Sequence, residues 1–120
     1  MLGRAIEIAS VAFSRVQDKS GSPYILHCLW VMDRVRHLGE DAMIVAVLHD
    51  LVEDTDWTLD MLLEEGFSVL IVKAIGVLTH IEEDSYDEYI KKISQNVLSR
   101  EVKLRDLEHK FKDYQIEGST

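Results

Sequence analysis

Leu48-His49-Asp50-Leu51-Val52-Glu53-Asp54-Thr55 is the stretch that decides how this chain folds. It follows Ala42-Met43-Ile44-Val45-Ala46-Val47, a run with no polar side chain. A helix that is apolar on every side is wrapped by other elements, so the run predicts a helix at the centre of an all-α domain. Four ionisable residues, His49, Asp50, Glu53 and Asp54, arrive together at its C-terminal end. At ~100° per residue they fan over roughly 140° of a continuing helix, with His49 over Glu53 and Asp50 over Asp54. Three carboxylates there repel one another, are costly to desolvate, and face the negative end of the helix dipole. A bound cation would relieve all three costs. The plainer reading is a solvated helix terminus whose histidine bonds a carbonyl.

Outward from this stretch, helical signals continue in both directions. Residues 2–17 form an amphipathic helix with Ile6, Ala9, Val11, Ala12, Phe13 and Val16 as its apolar set. A polar loop holds the only proline, Pro23, which suits the first turn of a helix over 23–38 that stops at Gly39. That helix carries Ile25, Leu29, Met32 and Val35 on its apolar face, Leu26 and Trp30 beside them, and His27 near the same face. Glu40 and Asp41 open the central helix at the positive end of its dipole. Thr58 caps a short helix, 59–65, ended by Gly66. The β-branched run at 67–79 reads as a buried helix, since Lys73, Ala74 and the lack of a partner strand disfavour a strand. Ser85 and Glu88 have capping-box spacing for a helix over 86–98. Ser99 then caps the last helix, 100–116, with Leu104, Leu107, Phe111 and Tyr114 as its core stripe and a frayed tail at 118–120. The expectation is a single all-α domain, 1–120, of about seven helices.

Bulk composition narrows the function. At 120 residues with 47% hydrophobic content, the chain builds one core and not two. No apolar run approaches the ~20 residues of a membrane span, and residues 1–16 lack a signal peptide's apolar block. The single cysteine, Cys28, allows no internal disulfide, which fits a cytoplasmic protein. A net charge of −9 disfavours DNA or RNA as partners, since a nucleic-acid groove needs a stripe of cations. An anionic small molecule would then bind only beside a metal or a few placed basic residues. Trp30, Trp57 and Tyr114 suit either a core or the surface of a homo-oligomer.

Two further residues could complete a metal site. His27 lies one helix before the central one, and sequential helices usually pack side by side. Asp106 lies beside the apolar stripe of the last helix. A core histidine and a surface charge pair with Lys103 and Lys110 are the alternatives, and spacing leaves both open.

Three motifs occur in order: Gly21-Ser22-Pro23-Tyr24-Ile25-Leu26-His27, the Leu48–Thr55 stretch, and Lys103-Leu104-Arg105-Asp106-Leu107-Glu108-His109. Together they resemble the HD-domain metal phosphohydrolases, and among them the RelA/SpoT-type hydrolase domain. Ser85-Tyr86-Asp87-Glu88-Tyr89-Ile90 also resembles the small stand-alone members. The resemblance implies metal ligands at His27, His49, Asp50 and Asp106, and Mn²⁺ as the cation. It implies that Glu53 and Asp54 orient and deprotonate the attacking water or protonate the leaving oxygen; Glu53 could instead fix the tautomer of His49. It implies (p)ppGpp as substrate, cleaved to GDP or GTP and pyrophosphate, with Lys19, Ser20 and Tyr24 near the nucleotide. Three positions depart from the family pattern. Asp18 replaces an arginine, Lys110 replaces an asparagine and would meet a substrate phosphate as a point charge, without the amide's paired donor and acceptor, and Cys28 replaces a proline. Asp18 cannot stack on a base as a cation. Asp18 and Lys110 favour one alternative, a nucleotide phosphohydrolase of other specificity; the other, a metal- or nucleotide-binding domain without turnover, is disfavoured by the Glu53-Asp54 pair.

Overall fold

The computed structural model describes the backbone of residues 1–118 and the side chains of residues 1–110. Phe111, Tyr114 and the Ser119-Thr120 tail, for which a core stripe and fraying were expected, lie outside those described side chains and residues. Among the described residues the chain is all-α, as expected, with seven helices of six residues or more. These are α1 (Leu2–Ala12), α2 (Ile25–Arg34), α3 (Glu40–Leu48), α5 (Leu59–Glu64), α6 (Val69–Leu78), α7 (Tyr86–Ser94) and α8 (Val97–Gly118). A single turn, α4 (Leu51–Asp54), follows α3, and a 3-10 turn, Arg36–Leu38, follows α2.

Helix α3 is the axis of the fold. Every residue from Ala42 to Leu48 is buried, and α1, α2, α6 and α8 all pack on it. An apolar segment with no solvent-facing side must be enclosed in this way. The helix does not run on through the ionisable cluster, contrary to expectation: it stops at Leu48 and resumes as α4. In an unbroken helix the Ala46 carbonyl would accept from the Asp50 N–H. Here it accepts instead from His49 Nδ1 at 2.6 Å and from the His49 N–H at 3.4 Å. A side chain that takes a ladder acceptor interrupts the helix at that point.

Other boundaries shift for tertiary reasons. Helix α1 ends at Ala12, five residues early. The chain beyond it pairs back on itself, through a Gln17–Pro23 bridge and a Tyr24 N–H to Val16 carbonyl bond of 2.9 Å. Pro23 therefore closes this loop and precedes α2 rather than starting it. The buried face of α2 is His27, Cys28 and Val31, continued by Val35 just past its end; Ile25, Leu29 and Met32 are only partly buried. Helix α2 touches both α3 and α8, and those two neighbours set which face turns inward.

The caps mostly follow their residue chemistry. Thr58 accepts from the Met61 N–H and Ser68 from the Ile71 N–H, each at 3.2 Å. Gly66 takes φ +102° where α5 ends. The Ser85–Glu88 capping box is complete. Replacing Ser85 by alanine should cost about 1 kcal/mol, read as a lower midpoint in thermal unfolding; an unchanged midpoint would show that the box contributes nothing. Helix α8 corrects two expectations. Asn96, not Ser99, caps it: Asn96 Oδ1 accepts from the Ser99 N–H at 3.0 Å, while the buried Ser99 hydroxyl donates to the Ala74 carbonyl at 2.8 Å. Its buried face is Ser99, Val102 and Asp106, whereas Leu104 and Leu107 are 48% and 45% exposed. Turning Ser99 towards α6 and Asp106 towards α3 leaves the two leucines on a different wall.

Candidate metal centre and its cavity

Because α2 and α8 both lie against α3, three separate elements deliver side chains to the broken end of the buried helix. His27 comes from α2, His49 and Asp50 from the α3–α4 junction, and Asp106 from α8. One ligand-capable atom from each of the four lies within 4.8 Å of all the others. His27, His49 and Asp106 are buried and Asp50 is nearly so. Asp106 Oδ1 lies 2.8 Å from His27 Nε2 and 3.3 Å from His49 Nε2, and Asp50 Oδ2 lies 3.0 Å from His49 Nε2.

The donor chemistry fits a cation. Donation from His49 Nδ1–H to the Ala46 carbonyl leaves Nε2 as the free lone pair of a neutral imidazole, aimed at two carboxylate oxygens. Lone pairs facing one another need a positive charge between them. A first-row divalent metal with bonds of about 2.0–2.2 Å would draw such atoms slightly closer. Two imidazoles and two carboxylates would neutralise it.

Without a metal, a proton serves. Burial opposes charge on His49, but Asp50 and Asp106 outweigh it and push His49 up to about 10. Burial likewise raises Asp50, yet His49 and the Tyr24 hydroxyl bring it down to about 2. Asp106, buried but bonded by both histidines, is held far below the usual carboxylate range. Lys103 and Lys110 also reach Asp106, at 3.4 and 3.3 Å. The surface-pair reading of Asp106 thus has the right partners, but the carboxylate itself is 1% exposed.

A cavity of about 1060 Å³ opens beside the cluster, and His27 forms part of its wall. Lys19, Ser20, Tyr24 and Lys110, the four residues expected near a nucleotide, all line it, together with Asp54. Its apolar wall is Phe13, Val16, Leu104 and Leu107, which accounts for the two exposed leucines of α8. Tyr24 donates its hydroxyl to Asp50 Oδ2, so it also steadies a member of the cluster. Asp18 turns into its own loop, where Oδ1 accepts from the Ser20 N–H, the Ser20 hydroxyl and the Ser22 N–H at 2.8–2.9 Å. Those bonds hold its carboxyl below the usual range, and they commit the Ser20 hydroxyl proton to the loop.

The acidic pair of α4 divides. Asp54 faces the cavity, where burial and the charge of Asp50 raise its pKa. Glu53 accepts from the His80 N–H at 3.1 Å and ties α4 to the segment after α6. Glu53 does not fix the His49 tautomer, because the Ala46 carbonyl holds that nitrogen. The sequence alone assigns His109 no role, yet its Nδ1 sits 2.7 Å from His27 Nδ1. Its place three residues after Asp106 on α8 was the available signal. Trp30 packs on His109 with ring centroids 4.4 Å apart.

The class is therefore an all-α domain with a buried His₂Asp₂ cluster, able to hold a divalent metal, at the edge of a cavity of about 1060 Å³. No family model matches the chain. It is 36% identical over 85 residues to a guanosine-3′,5′-bis(diphosphate) 3′-pyrophosphohydrolase of Aquifex aeolicus, covering 69% of this chain and 12% of that one. It is also 36% identical over 69 residues to the Danio rerio 3′-pyrophosphohydrolase MESH1, covering 54% of this chain and 38% of that one. In structure it matches a metazoan ortholog of SpoT described as hydrolysing ppGpp, with a TM-score of 0.80 over 96% of this chain and 70% of that one, at 21% identity. The chain is thus similar in sequence to proteins named as guanosine-3′,5′-bis(diphosphate) 3′-pyrophosphohydrolases, in line with its motifs, and shares the all-α fold of the SpoT ortholog. It spans 8–16% of the length of the first four curated relatives it matches. Among the described residues no helix is long and apolar enough to cross a membrane.

Proposed function

We propose that residues 1–120 form one metal-dependent phosphohydrolase domain that removes the 3′-pyrophosphate of ppGpp or pppGpp, giving GDP or GTP and pyrophosphate. The observation that carries this reading is the convergence of His27, His49, Asp50 and Asp106 within 4.8 Å beside a cavity bearing Lys19, Tyr24, Lys110 and Asp54. Those four residues would hold the cation, for which Mn²⁺ is our assignment, and a cytoplasmic location belongs to the same reading. Such a cation polarises the phosphoryl group and makes water a competent nucleophile near neutral pH. Asp54 orients that water and takes its proton; a carboxylate with a raised pKa is suited to the task. The water oxygen bonds to the phosphorus that carries O3′, the P–O3′ bond breaks, and a proton ends on O3′. Lys19 and Lys110 meet the phosphates, and the apolar wall of Val16, Leu104 and Leu107 receives the base. Glu53 holds the segment after α6 in place.

One observation favours a second specificity. Asp18 lines the cavity while bonded into its own loop, so the wall beside the base offers apolar surface from Phe13, Val16, Leu104 and Leu107 and no stacking cation from that position. Contact of that kind discriminates weakly among bases. The test is to incubate the protein and Mn²⁺ with ppGpp, pppGpp, the adenosine counterpart of ppGpp, GTP, ATP and NADPH. Pyrophosphate from ppGpp and pppGpp alone supports the alarmone reading. Equal release from the adenosine counterpart supports a base-tolerant enzyme, and no product with any metal leaves a binding domain.

Metal loading should also release a proton. In the metal-free protein the raised pKa of His49 keeps it charged at pH 7, and the stability this lends is complete only below about 6.5 and falls progressively until pH passes about 10. A cation that takes Nε2 displaces that proton. Calorimetry at pH 7 in buffers of different ionisation enthalpy should give about one proton released per metal; a value of zero would mean that His49 is not a ligand.

A further inference from the structure

His109 contacts the centre without belonging to the four clustered residues, and its geometry is specific. Its ring is inclined by only 16° to that of His27, with centroids 5.0 Å apart and the two Nδ1 atoms 2.7 Å apart. Near-parallel rings stacked face to face cannot bring two nitrogens that close. The rings therefore lie edge to edge in nearly one plane, the arrangement of an N–H···N hydrogen bond. Trp30 covers the face of His109 at 4.4 Å and 18°, and the Arg34 guanidinium sits 4.7 Å from the Trp30 ring centre.

A neutral imidazole that offers Nε2 to a cation carries its proton on Nδ1, and that proton needs an acceptor. For His49 the acceptor is the backbone carbonyl of Ala46. His27 has Nε2 turned to Asp106 at 2.8 Å and Nδ1 turned to His109. We infer that His109 is the positioning residue for His27: it accepts the Nδ1–H and, held flat by Trp30, fixes the plane in which Nε2 points at the centre. This rests on the metal-site reading. One imidazole is set by backbone and the other by a replaceable side chain.

The test uses the whole chain labelled with ¹⁵N, metal-free and loaded with Zn²⁺ as a diamagnetic stand-in. A coupling across the hydrogen bond between the two Nδ1 atoms is expected in both states, with the proton assigned to His27 Nδ1 once Zn²⁺ is bound. His109→Phe, which keeps a flat ring for Trp30 and loses the acceptor, should weaken Zn²⁺ binding by about 10–100-fold. His109→Asn, whose amide oxygen can accept near the Nδ1 position, should restore most of that loss. The inference is overturned if wild-type protein shows no coupling between these nitrogens, or if His109→Phe binds Zn²⁺ as tightly as wild type. Should the phenylalanine variant fail to fold, the wild-type coupling decides alone. If wild-type protein binds no Zn²⁺, the metal-centre reading fails, while the metal-free coupling still decides whether His109 positions His27.

Discussion

Asp50→Ala is expected to lower divalent-metal affinity by at least ~100-fold while the far-ultraviolet circular dichroism stays that of a helical domain. Loss of a residue that merely supports a ligand costs about 10–100-fold, and Asp50 supplies one of only two carboxylates in the cluster. The fold should survive because Asp50 stands at the junction between α3 and α4, outside the buried run of Ala42–Leu48. His49 keeps Asp106 and the Ala46 carbonyl as partners. The Tyr24 hydroxyl loses its acceptor, but the ring remains packed against Phe13 and His27. Metal binding as tight as wild type in calorimetry would remove Asp50 from the ligand set.

Turnover should fall by about 10²–10⁴ in Asp54→Asn, the usual contribution of a general base, with metal affinity altered by no more than a few-fold. Asp54 lies on the cavity wall yet outside the group of four, so its removal separates chemistry from metal binding. The amide keeps the shape and a hydrogen-bonding oxygen but cannot take a proton. Glu53→Gln is the control, since its oxygen is engaged by the His80 N–H and an amide oxygen can accept that bond equally well. If the two variants lost activity to the same extent, the division of labour on α4 would be wrong.

The parts of this fold legible in the sequence are those where one residue type has one physical outcome. A run without polar side chains had to be enclosed, and α3 is. Ser85 with Glu88, Thr58 and Gly66 have local chemistry that hardly depends on the rest of the chain, and each does what its type predicts. What local patterns missed was decided by neighbours. Leu104 and Leu107 look like a core stripe at helical spacing, yet α8 turns Ser99, Val102 and Asp106 inward and leaves the leucines to the cavity. Ser99 looks like a cap, but its hydroxyl is needed by the Ala74 carbonyl. The break after Leu48 comes from a single side-chain bond to Ala46, which no periodicity contains. For the site, the four clustered residues were readable from ordered motifs, whereas the pairing of His109 with His27 required knowing how α8 lies on α2. Likewise, the inward turn of Asp18 depends on bonds within its loop, not on its charge.

The enclosure of α3 has a kinetic consequence. Amide protons deep in such a helix reach solvent only when the whole domain opens, whereas exposed turns exchange through small local fluctuations. The amides of Val45–Leu48 should therefore be among the slowest to take up deuterium and those of Glu53 and Asp54 far faster, as hydrogen-exchange mass spectrometry or NMR would read. His49 and Asp50 follow directly on the slow segment and Asp54 lies on the turn beyond it. The pair proposed to hold the cation would be as durable as the domain itself, while Asp54, the proposed base, would retain freedom to move.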